Sequence, residues 1–204
     1  MPSYTDWTTK KATRGRLRPV NWTAAEASAL PWQETYMIDE IPAHDNWNTF
    51  ATRNKQEIEN LYREWGVPKE GTRHYMSIRP ALPEQMENQL LGPYRSSNKY
   101  NYNFLRLTPG CQIMWHYDTY ATFVKFNDIK EEEIKNVCRT VVMMLPWDRG
   151  QIFQLGNAIY SHWQAGDTFT LKGDIWHGMS NFGPSEAIMA QITFLDEEGK
   201  YDNI

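Results

Sequence analysis

His116 and Asp118 stand two residues apart in FLRLTPGCQIMWHYD, residues 104–118. In an extended chain residues i and i+2 point to the same face. The imidazole and the carboxylate therefore project together, while Trp115 and Tyr117 turn the other way. One imidazole and one carboxylate side by side on a rigid strand make two-thirds of a two-histidine, one-carboxylate metal site. The missing ligand has to be a second histidine well downstream, on a strand folded back beside this one. His177, in GDIWHGMSNFG, has the surroundings for it. The other histidines have no acidic partner at strand spacing. His44 lies in a polar loop, His74 opens a strand-like stretch, and His162 precedes Trp163 in a turn-like segment; all three are read as surface or structural residues. Cys111 and Cys138, the only cysteines, make neither a disulfide framework nor a thiolate zinc site and are read as buried small residues with reduced thiols.

Elements must hold these ligands in place, and the pattern divides the chain in two. The second half reads as strands at 102–108, 112–118, 138–145, 151–155, 167–171 and 187–195. They are separated by turn signals such as Pro109-Gly110, Gly166-Asp167 and Gly173-Asp174. One helical insert, 128–137, interrupts them, with Asp128 placed to cap it. The first half alternates short helices and strands. Thr23-Ala-Ala-Glu26 is a capping-box pattern, followed by strand-like 35–41. A second capping pattern at Asn54–Glu57 leads into a stripe of Ile58, Leu61, Tyr62 and Trp65, closed by Gly66 and Pro68. HYMSI at 74–78 reads as a strand, and Pro83 to Leu91 as a helix with Gly92 just past its end. Short strands at turn-marked intervals after a helical first half predict a mostly β protein, a jelly-roll barrel with flanking helices. We expect one domain over 1–204: a basic arm at 1–20, a helix-rich buttress at 21–100 and a jelly-roll core at 101–196.

Composition narrows the function classes. At 204 residues the chain can enclose a core, and nine Trp, eleven Tyr and eight Phe supply large flat side chains for a core or a pocket. A net charge of −4 argues against a general nucleic-acid binder. No apolar run approaches the roughly 20 residues needed to cross a bilayer, and the start lacks a signal-peptide apolar segment, so the expectation is cytoplasmic. Arg14, Arg16 and Arg18, with Lys10 and Lys11, form a run free of acids that reads as a solvated arm.

The segments LRLTPGCQIMWHYD, CRTVVMMLPW, GDTFTLKGDIWHGMSNFG and AIMAQITF together resemble the Fe(II)/2-oxoglutarate-dependent dioxygenases. The resemblance is closest to the branch of aspartyl/asparaginyl β-hydroxylases and proline hydroxylases. It is carried by Arg106, Leu107, Pro109, Gly110, His116, Asp118, His177 and Asn181, and covers roughly residues 102–195. It implies a double-stranded β-helix (jelly-roll, cupin-like) whose mouth holds Fe(II) on His116, Asp118 and His177. It further implies 2-oxoglutarate as co-substrate, converted to succinate and CO2 while a C–H bond of an amino acid, a peptide side chain or a related small molecule is hydroxylated. One departure stands out: the family carries an arginine on the strand after the distal histidine to grip the far carboxylate of 2-oxoglutarate, and position 187 here is alanine. Arg139, opening the apolar strand RTVVMML, is the candidate for that grip, with Gln191, Thr193 and Asn181 as further contacts. Two other readings stay open: a metal-dependent cupin-type enzyme that does not use 2-oxoglutarate, and a non-catalytic jelly-roll binding protein.

Overall fold

The chain is described from a computed structural model, which covers residues 12–37, 60, 63–97, 99–118, 120–172 and 175–201. Its strands are β1 (Thr13–Arg16), β2 (Gln33–Tyr36), β3 (Arg73–Ile78), β4 (Tyr100–Leu107), β5 (Gln112–His116), β6 (Val137–Met143), β7 (Gln151–Leu155), β8 (Ala158–Tyr160), β9 (Asp167–Lys172), β10 (His177–Asn181) and β11 (Ala187–Leu195). They form a seven-stranded sheet in the order β1-β9-β6-β11-β4-β3-β2 and a four-stranded sheet in the order β5-β10-β7-β8. All pairs are antiparallel. The strands β9-β6-β11-β4 lie against β5-β10-β7-β8, and the chain passes between the two sheets as it runs from β4 to β11. That is the double-stranded β-helix, with β1 added on one edge of the large sheet and β3 and β2 on the other.

Alternation along the strands builds the space between the sheets. Leu105, Leu107, Val141, Met143, Phe169 and Met189 face inward from the large sheet and meet Ile113, Phe153, Leu155 and Met179 from the small one. The opposite face of the large sheet is covered as well: Phe104, Val142, Ile188, Ala190 and Ile192 pack with Trp22, Ala27, Met86, Leu90 and Leu91. The last five belong to or flank helices α1 (Ala24–Ser28) and α2 (Glu84–Leu91). Strand β11 is therefore buried on both faces along its whole length, its two polar residues Gln191 and Thr193 included, which is why AIMAQITFL carries no charged residue. The capping box of α1 forms as expected, with Glu26 N–H donating to Thr23 Oγ1 at 3.1 Å and Thr23 N–H to Glu26 Oε2 at 2.7 Å.

Three expectations need correction. The basic arm is not free where it is described: β1 pairs with β9, and Arg14, Arg16 and Arg18 converge on Asp167. In the first hundred residues the described helices α1 and α2 and strand β3 stand where the sequence predicts them, β2 overlaps the predicted strand at 35–41, and β2 and β3 extend the large sheet. The predicted helix at 128–137 is a 3-10 segment, Glu131–Asn136, opened by Lys130 N–H donating to Glu133 Oε2 at 2.9 Å. Asp128 is left-handed at φ 49°, so it cannot take the extended conformation of a helix cap. The helix of this region is α3 (Ala121–Phe126), and β8 is a further strand absent from the sequence reading. Most of the stripe at 58–65, the pattern at 54–57, residues 1–11, His44 and the Gly173-Asp174 turn lie outside the described residues. Among those described, no helix is long and apolar enough to cross a membrane.

Candidate metal centre

Strands β5 and β10 bring the two histidines together, and they do so through an irregularity. His177 pairs with His116, while Met179 pairs with Ile113. Between those pairs Met114 and Trp115 on β5 oppose Gly178 alone. This is a β-bulge, and it resets the alternation so that Ile113 and His116, three residues apart, both face the interior. A regular strand would turn Ile113 and Trp115 inward and His116 out. Gly178 leaves room for the bulge: a Cβ there would sit 3.0 Å from the Ile113 carbonyl oxygen and 3.2 Å from the Trp115 nitrogen.

The imidazoles are held in one tautomer by their own strands. His116 Nδ1 lies 2.6 Å from the Met114 carbonyl oxygen, and His177 Nδ1 lies 2.8 Å from that of Ile175. A carbonyl only accepts, so each Nδ1 carries the hydrogen and each Nε2 presents a lone pair. Those lone pairs face a carboxylate. His177 Nε2 is 3.4 Å from Asp118 Oδ2, and His116 Nε2 is 3.9 Å from Asp118 Oδ1. The two rings stand 4.4 Å apart, and His177 Nε2 is buried with no hydrogen-bond partner among the described residues.

Electrostatics keep these groups in ligand form. Burial pushes the His116 imidazole down to about 4, helped by His177 and opposed by Asp118. Burial likewise lowers His177. Burial pushes the Asp118 carboxyl up, but Arg139 and then the two histidines outweigh it and hold it below the usual carboxylate range. Two neutral imidazoles and one carboxylate thus aim acceptor atoms at one point with no proton to share. A cation resolves that arrangement, and the three donor atoms lie within 4.8 Å of one another. Two nitrogens, one carboxylate and no thiolate would suit a divalent first-row metal.

The other predicted residues divide. Arg139, on β6, reaches the centre: its Nη1 donates to Asp118 Oδ2 at 2.6 Å and its Nε to Thr193 Oγ1 at 3.1 Å. Thr193 is its register partner on β11. Gln191, two residues back on the same inward face, accepts from Asn103 Nδ2 at 3.2 Å. Asn181 does not reach the centre. It lies at the far end of β10, four residues and about 13 Å along the strand from His177. Its amide is spent on backbone: Nδ2 donates to the Leu107 and Ser185 carbonyls, both at 2.8 Å, and Oδ1 accepts from Gly183 N–H. It closes the turn between β10 and β11. Cys111 and Cys138 are buried, and neither is in a disulfide. His74 is buried in β3, its Nδ1 3.1 Å from the Thr72 carbonyl, and His162 stacks on Trp147 at 4.0 Å.

The sequence reading missed Tyr120. It stands at the start of α3 in the left-handed region, φ 52°, buried, with its ring 5.1 Å from the Arg139 guanidinium. Among the described residues its hydroxyl has no hydrogen-bond partner, and burial, then Asp118, raise its pKa well above the usual phenol value. Nothing in its spacing marks it, because it reaches the site from a loop. Trp176 packs beside the centre against Tyr117 and Trp115, with rings 5.1 and 6.2 Å away.

Fold and site together define a double-stranded β-helix protein with a candidate histidine-aspartate-histidine metal centre. No family model matches the chain, and no curated protein is significantly similar to it. Solved structures match at low identity. A predicted oxalate decarboxylase of Thermotoga maritima is 14% identical, with 60% of this chain and 81% of that one covered and a TM-score of 0.39. The Cupin_2 domain of an XRE-family transcriptional regulator from Enterobacter cloacae is 12% identical, covering 60% and 98%, with a TM-score of 0.37. An uncharacterized conserved protein with a double-stranded β-helix domain from Klebsiella pneumoniae is 21% identical, covering 50% and 72%, with a TM-score of 0.33.

Proposed function

We propose that this chain is an Fe(II)- and 2-oxoglutarate-dependent oxygenase, a hydroxylase acting on an amino acid, a peptide side chain or a related small molecule. The observation that carries the reading is the set of acceptors at the barrel mouth: His116 Nε2, His177 Nε2 and the Asp118 carboxylate facing one another without a proton between them. These three residues would hold the metal, which supplies the activation of dioxygen when bound. The protein's own part is to orient the ligands, keep both imidazoles neutral and limit water. Charge supports a dianionic co-substrate. A divalent ion beside one carboxylate and one guanidinium leaves two positive charges in an enclosed site, and a dianion such as 2-oxoglutarate neutralises them. Arg139, Thr193 and Gln191 line the wall next to the triad and are the side chains proposed to meet its far carboxylate.

The second reading, a cupin-type metal enzyme that does not use 2-oxoglutarate, is favoured by Ala187 and by the engagement of Arg139 with Asp118. Succinate release decides between the two. The chain supplied with Fe(II), ascorbate and 2-oxoglutarate is expected to form succinate, and Asp118→Ala to form none. Iron binding without any succinate, in the presence of a broad amino-acid and peptide mixture, would move the assignment to the second reading.

A further inference from the structure

The two histidines and the aspartate of the centre are not held alike. Each imidazole is fixed by a carbonyl of its own chain two residues earlier. Asp118 lies past the end of β5, with no ladder to hold it. Among the described residues, the only hydrogen bond to its carboxylate comes from Arg139. Arg139 is itself well anchored. It sits on a central strand paired on both sides, its Nε donates to Thr193 across the ladder, and the Tyr120 ring covers its guanidinium.

We propose that Arg139 is a positioning residue of the metal centre: it holds the Asp118 carboxylate facing His116 and His177, and so sets how tightly a divalent metal binds. The inference rests on the metal-centre reading above and assigns Arg139 a task besides any contact with a co-substrate. A guanidinium suits it because two of its nitrogens diverge in one plane, one toward Asp118 and one toward Thr193. A lysine ammonium could reach the carboxylate but could not keep the second bond in the same geometry.

The test is cobalt(II) titration of the metal-free chain of residues 1–204, followed by the visible absorption of the bound ion, which reports the ligand set without turnover. Arg139→Gln is expected to weaken cobalt binding about 10- to 100-fold, the usual cost of losing a group that orients a ligand, and to change the absorption bands. Arg139→Lys should recover part of the affinity, and Thr193→Val should weaken binding less than Arg139→Gln. Wild-type affinity and spectrum in a folded Arg139→Gln chain would overturn the proposal. So would an effect confined to 2-oxoglutarate affinity, which would give Arg139 to the co-substrate alone. If Arg139→Gln fails to fold, the lysine and Thr193→Val variants carry the test, and wild-type cobalt binding in both overturns it. Asp118→Ala separates the two levels: wild-type cobalt binding there defeats the metal-centre reading itself, whereas its loss beside an unaffected Arg139→Gln defeats only the role of Arg139.

Discussion

Asp118 and Asp167 are both enclosed carboxylates reached by arginine, yet their surroundings differ in kind. Asp167, at the start of β9, accepts from Arg16 Nε at 2.9 Å, Arg18 Nη2 at 3.0 Å, Arg14 Nη2 at 3.4 Å and the Gln164 N–H at 3.1 Å. Its side chain is 1% exposed while those of Arg14 and Arg16 are about half exposed. Among the described residues, Asp118 receives one hydrogen bond, from Arg139, and otherwise faces two imidazole lone pairs. The first carboxylate has more positive charge than it needs and its lone pairs are taken. The second is left with acceptors opposite acceptors. Saturation marks a structural clamp, here one that fastens β1 to the sheet; a shortage of cations at a convergent set of donors marks a candidate site for an ion that comes from outside.

Exchanging the two aspartates for alanine should give phenotypes that differ in metal binding. Asp118→Ala should lower metal affinity by at least about 100-fold, because it removes a ligand and not merely an orienting group, and should also lower stability, because it leaves the enclosed Arg139 guanidinium without its carboxylate. Isothermal titration with Fe(II) under anaerobic conditions reads the first effect. Asp167→Ala should leave metal affinity alone and cost about 1–3 kcal/mol of stability. That is less than the roughly 3–5 kcal/mol of breaking a fully buried pair, because the freed guanidinium groups can turn into water. A lowered melting temperature, by about 2–4 °C per kcal/mol for a chain of this length, is the expected readout. If Asp167→Ala also lost metal, the separation of clamp from site would be wrong.

A subtler break tests the bulge. Gly178→Ala places a methyl group against backbone on β5, and backbone yields less than a side chain. We expect a cost near the lower end of the ~1–3 kcal/mol of overpacking, together with weaker metal binding, because His116 is aimed by the same bulge. Metal affinity that stays at the wild-type level in a destabilised Gly178→Ala chain would show that the bulge does not aim the ligand.

The bulge also shows where the sequence stops being legible. His116 and Asp118 could be paired by eye because both sit in a short, extended run. The strand alternation that justified the pairing does not hold upstream, where the bulge lets Ile113 and His116 share a face. No residue type in QIMWH announces that extra residue; the signal lies across the ladder, in Gly178. Asn181 was misread for the opposite reason, since a turn-forming asparagine and a cofactor ligand look alike until the backbone atoms around it are known. Tyr120 and α3 were hidden because ATFVKF is as acceptable in a strand as in a helix. The clamp at Asp167 could not be read at all: three arginines on an N-terminal arm carry no mark of the carboxylate some 150 residues later that gathers them.

The smallest expected effect concerns pH at that clamp. Burial pushes the Asp167 carboxyl up, but the Gln164 N–H and Arg16, with Arg14, more than offset it, so its folded-state pKa lies below the usual 3.8. A carboxyl with a depressed folded pKa contributes stability that is fully present above its unfolded pKa and is lost as pH falls through the folded one. Wild-type stability should therefore decline on acidification below about pH 4, and Asp167→Asn should remove that share of the decline while leaving the neutral-pH side flat. The effect is smaller than that of Asp167→Ala, because a protonated carboxyl keeps its shape and can still accept from the guanidinium groups. Urea unfolding of both chains from pH 6 to pH 3 measures it. Parallel curves over that range would mean that the arginines hold Asp167 by geometry and not by charge.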